Sequence, residues 1–180
     1  MNTKKIDFDP GPLRETLTRP ADGRWTLVYR QHFDHGPEAV WRALTDPDEL
    51  RAWAPYAADR NLGSTGPATL IMTDGDQSTR MPTTVLTADA PRLLEFNWGG
   101  QQLRWELITV GDGTDLELQH TIDDRSDLPK MAAGWHLCLL VADDHLGGGS
   151  QPPIVGPAAQ DYGWDRLEHE YADRLAREDI

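Results

Sequence analysis

Two histidines are the side chains in this chain best suited to proton chemistry. His120 ends the alternating run Leu116-Glu117-Leu118-Gln119-His120 and therefore shares a strand face with Leu116 and Leu118. His136 follows Trp135, which places it about 100° further round a helix. An imidazole in an apolar pocket can orient a ligand hydroxyl or carbonyl, or act as acid or base near neutral pH. The plainer roles are a hydrogen-bonded core histidine for His120 and a partly exposed helix face for His136. The tryptophans offer a different chemistry. Trp53, Trp98, Trp105 and Trp135, with His120 and Leu139, are the candidate ligand-binding residues, because large rings suit the wall of an apolar site. Core filling is their alternative role, and the two are compatible.

Other candidates are weaker. His136, Asp143 and His145 have metal-ligand side chains, but His145 is displaced from the side of the helix that the other two share. There is no HExxH and no second ligand cluster, so no metal is expected. Asp74-Gly75-Asp76 starts like a calcium loop, yet Thr79 stands where glycine is needed and Val85 where glutamate is needed, so it reads as a turn. Cys138 lies in an apolar helical run, where thiols are inert. No nucleophile elbow, phosphate loop or dinucleotide fingerprint occurs. No catalytic residue is assigned and no cofactor is expected.

These residues need elements to hold them. Leu128–Leu146 reads as one helix: Leu128, Ala132, Trp135, Leu139, Ala142 and Leu146 recur by three or four, Pro129 falls in the first turn, and Gly147-Gly148-Gly149 follows. At 1.5 Å per residue it spans roughly 28 Å, enough to cross a small domain. Trp25–Phe33 alternates as a half-buried strand. Two short helices follow, one from His35-Gly36-Pro37-Glu38 and one from Thr45-Asp46-Pro47-Asp48-Glu49, where Asp46 can cap and Glu49 can reach back. Strands are expected over Tyr56–Leu62, Ala68–Met72, Met81–Ala88, Leu93–Trp98, Gln102–Val110 and Asp115–Thr121, with tight turns between. With no alternation of strand and helix, the sheet should be antiparallel. Gly147–Pro157 reads as a loop and Asp161–Arg177 as a terminal helix carrying Trp164, Leu167, Tyr171 and Leu175. Residues 1–24 read as an N-terminal arm, and 25–180 as a single domain.

The totals exclude some partners. Thirty acidic against seventeen basic residues give a net charge of −13, which disfavours nucleic acid and anionic membrane surfaces. The N-terminus MNTKKIDFDPGP has no apolar core, so no secretory leader is expected, and one cysteine fits a cytoplasmic protein. The apolar run Leu137–Ala142 is far short of a membrane span.

VWRALTDPDELRAWAP, PRLLEFNWG, LRWEL, GDGTDLELQHT and AAGWHLCLLV, in that order, resemble the SRPBCC superfamily, the START-like or helix-grip group related to the birch-pollen allergen. Within it the chain is most similar to the branch named after the activator of the heat-shock chaperone ATPase. The resemblance covers roughly residues 24–175. It implies an α+β helix-grip fold: a curved antiparallel sheet of about seven strands around the long helix, with two short helices closing one end of a hydrophobic cavity. Such folds host many activities. The favoured expectation is non-catalytic binding of a small hydrophobic ligand, with a homodimer compatible with the sequence. A cyclase- or dehydratase-type enzyme using pocket histidines and a chaperone ATPase-activating module are the alternatives.

Overall fold

The computed structural model describes residues 9–74 and 77–178. Among these residues there are eight strands: β1 (Glu15–Ala21), β2 (Arg24–Phe33), β3 (Ala57–Ala58), β4 (Gly66–Asp74), β5 (Gln77–Asp89), β6 (Leu93–Trp98), β7 (Gln101–Val110) and β8 (Gly113–Ile122). They form one antiparallel sheet in the order β1-β2-β8-β7-β6-β5-β4-β3. Helices α1 (Pro37–Thr45) and α2 (Pro47–Trp53) follow β2, and α3 (Leu128–Leu146) and α4 (Trp164–Arg177) close the chain. The fold is the expected α+β helix-grip.

Both short helices begin with proline in the first turn, where its missing N–H is no loss. Asp46 accepts hydrogen bonds from the backbone N–H groups of Asp48 and Glu49, capping α2. Glu49 does not reach back to the cap. Its carboxylate meets His145 Nε2 at 2.6 Å and so ties α2 to the end of α3. Trp53 Nε1 donates to the Ala43 carbonyl at 2.8 Å, fixing the angle between α1 and α2.

The sheet starts earlier than the sequence reading places it. Residues 15–21, read as part of the arm, form β1, paired with β2 from Glu15↔Arg30 to Ala21↔Arg24. The two-residue loop Asp22-Gly23 takes positive φ at both positions (50° and 80°), the twist a tight hairpin needs. At the other edge, the strand expected over Tyr56–Leu62 shrinks to Ala57–Ala58. Beyond it the Arg60 guanidinium donates to the carbonyls of Asn61, Ser64, Gly66 and Pro67, so a charged side chain blocks further pairing there. The turn expected at Asp74-Gly75-Asp76 falls partly outside the described residues, as do residues 1–8.

Alternation decides which side chains enter the core. Leu103, Trp105 and Leu107 of β7 are buried opposite Leu116, Leu118 and His120 of β8, with registers Leu103↔His120 and Trp105↔Leu118. Helix α3 lies over this face and buries Ala132, Trp135, Leu139 and Ala142. It also buries Ala133, His136, Leu137 and Val141, because α4 covers its far side with Leu167, Tyr171 and Leu175. A helix buried on nearly every side belongs to an interior, and α3 is the axis of this one.

Candidate functional site

The centre of the molecule is aromatic. Trp53 stands edge-on to Trp105 with centroids 6.2 Å apart, and Trp105 edge-on to Trp135 at 5.2 Å. Trp98 packs against Trp135 at 5.7 Å, His120 at 5.6 Å and Tyr56 at 5.5 Å. Such geometries suit ring quadrupoles and add to simple area burial. Trp53 and Trp105 are fully buried, so the gap between sheet and helix, expected to be open at these rings, is filled by them.

His120 is held on both sides. Trp135 Nε1–H donates to His120 Nδ1 at 3.0 Å, so the ring proton sits on Nε2 and is donated to Gln101 Oε1 at 2.6 Å. Burial, aided by the Arg24 charge, lowers its pKa to about 3. An imidazole that is neutral and has both nitrogens engaged positions Trp135; it has no free lone pair with which to take a substrate proton.

Open space lies beside this stack. A cleft of about 380 Å³ runs between α3 and the segment leading into α4. Trp98 and Trp135 form its inner wall, Met131, Gly134 and Cys138 of α3 its floor, and Ile154, Val155, Ala159 and Trp164 its outer wall. Lys130 and Gln160 are its polar residues. A neighbouring cleft of about 310 Å³ shares Pro55, Val155 and Gly156 and continues to Tyr56 and Ile71. Burial pushes the Cys138 thiol up to about 12, and its Sγ lies 3.8 Å from the Ile154 carbonyl, so it stays protonated and unreactive.

Of the six candidate residues, Trp98 and Trp135 line the cleft. Trp53, Trp105 and His120 stand behind them, and Leu139 is buried one turn further along α3. The outer wall came from an unexpected place. The Gly147–Pro157 stretch packs Ile154 at 2% exposure, and residues 156–162 form a 3-10 segment. Ile154-Val155, an apolar pair inside a glycine- and proline-rich run, was the signal for it.

His136 corrects the expectation of a partly exposed face. It is fully buried because α4 and the N-terminal segment cover it. A chain of hydrogen bonds passes through it. Arg14 N–H donates to Tyr171 Oη at 3.0 Å, the hydroxyl meets His136 Nδ1 at 2.7 Å, and His136 Nε2–H donates to the Pro10 carbonyl at 2.7 Å. Burial holds its pKa at about 4; the Pro10 bond opposes this, while Arg14 and Arg166 reinforce it. His136, His145 and Asp143 therefore face different surroundings. Among the described residues no group of three or more His, Cys, Asp or Glu side chains is arranged to hold a metal ion.

A family model described as activator of Hsp90 ATPase homolog 1-like protein matches residues 34–142. Among solved structures, the conserved protein of unknown function EF2215 from Enterococcus faecalis superposes with a TM-score of 0.69 at 15% identity, over 91% of each chain. CalU16 from Micromonospora echinospora gives 0.64 at 23% identity, over 91% of this chain and 95% of its own. An AHSA1-like protein from Aeromonas hydrophila gives 0.58 at 20% identity, over 68% of this chain and 92% of its own. At such identities the likeness is one of fold. No curated protein matches the chain.

Proposed function

The chain belongs to the family of activator of Hsp90 ATPase homolog 1-like proteins, and from that premise we propose that it binds a small hydrophobic molecule in the cleft between α3 and residues 154–164, without transforming it. The observation that carries the reading is a cleft of about 380 Å³ with indole rings on both walls. Its volume falls within the roughly 300–1,000 Å³ usual for small-molecule sites, which are mostly apolar with a few polar groups. The non-catalytic part rests on the side chains nearby. His120 is neutral and doubly engaged, and Cys138 is protonated. Lys130, beside the cleft, is paired with Asp127 at 3.1 Å. A single cysteine and no disulfide fit work in the reducing cytoplasm.

The test is uptake of the uncharged dye N-phenylnaphthylamine by purified protein. The expected result is saturable enhancement of dye emission with quenching of tryptophan fluorescence, reversed by apolar material extracted from the native protein. Replacing Trp164 by glutamate, at the cleft's outer wall, should weaken uptake. Dye emission that never exceeds that of a folded control protein without a cleft would sink the proposal.

A further inference from the structure

Gly134 sits in the interior of α3, where glycine is a poorer helix former than any residue except proline. The usual reasons for glycine do not apply. Its backbone is not in the left-handed region, and a Cβ built on it would meet no atom within 4 Å beyond its chain neighbours and its own stretch of helix backbone. No packed element needs the side chain to be missing. The space that an added side chain would enter is the cleft, whose floor is the α3 stripe of Met131, Gly134 and Cys138. Glycine there leaves helix backbone bare beneath the cleft, the arrangement that lets a ligand approach main chain closely.

We infer that Gly134 is the specificity-determining position of the cleft: the ligand has a flat apolar body that lies directly on the α3 backbone at this residue, framed by Trp98 and Trp135 from the core and by Ile154 and Trp164 from the C-terminal segment. This rests on the cleft being the binding site. A side chain at position 134 competes with the ligand for the same volume, so uptake falls as that side chain grows. Helix stability moves in the opposite direction, because alanine fits the open space and favours the helix.

Titration of wild type, Gly134→Ala and Gly134→Leu with N-phenylnaphthylamine, alongside thermal melts, separates the possibilities. Gly134→Ala should raise Tm by about 2–4 °C while weakening dye binding roughly tenfold. Gly134→Leu should weaken it roughly a hundredfold or more. If Gly134→Leu does not fold, Gly134→Ala decides alone. A folded Gly134→Leu that binds like wild type, or a Gly134→Ala with lowered Tm, overturns this inference and leaves the cleft reading standing. A wild type that takes up no dye removes the cleft reading and this inference with it.

Discussion

Trp135 and His120 hold each other at the centre of the molecule: the indole proton fixes the imidazole tautomer, and the imidazole fixes the indole that walls the cleft. Trp135→Phe keeps most of the ring and removes the donor, leaving a buried His120 Nδ1 without a partner. The expected cost is about 1–3 kcal/mol in urea unfolding; a loss below about 0.5 kcal/mol would mean that the bond does not matter. The two buried histidines also set a pH dependence. Folding lowers His120 to about 3 and His136 to about 4, so between roughly pH 6.5 and those values the unfolded chain binds protons that the native state rejects. Their contribution to stability is intact above roughly pH 6.5 and is lost as pH falls through that window, by up to about 1.4 kcal/mol per pH unit for each. Replacing both by glutamine should flatten this slope relative to wild type; equal slopes would overturn the assignment. The inward placement of His120 was legible from alternation with Leu116 and Leu118. Its tautomer was not, because the partners that set it, Trp135 and Gln101, lie on other elements.

At the scale of elements, α3 was legible to the residue, since its face repeat, proline and terminal glycines all agree. The first strand was not. Glu15–Ala21 has little apolar alternation, as an edge strand paired on one side can tolerate, and only the Asp22-Gly23 pair announced it. That strand matters for solubility, because it covers the edge of β2 over seven residue pairs. Deleting residues 1–22 should expose that edge and break the Arg14 and Pro10 bonds to Tyr171 and His136. The expected outcome is concentration-dependent association in size-exclusion chromatography together with a lower Tm; a monodisperse product with unchanged Tm would contradict it.

For the molecule as a whole, a net charge of −13 predicts no gel shift of duplex DNA at physiological salt, and a salt-sensitive shift would overturn that expectation. The sequence by itself determined the antiparallel sheet, the central helix and the inward set of rings, because these follow from periodicities of two and 3.6 that each segment carries locally. Tertiary structure decided where space remains. Trp53, Trp105 and Trp135 could have walled a cavity or filled one, and the outcome turned on how close α3 sits to β7. The cleft arose at the margin, where residues 154–164 fold back over α3. A void is what remains after distant segments have packed, so no local pattern encodes it.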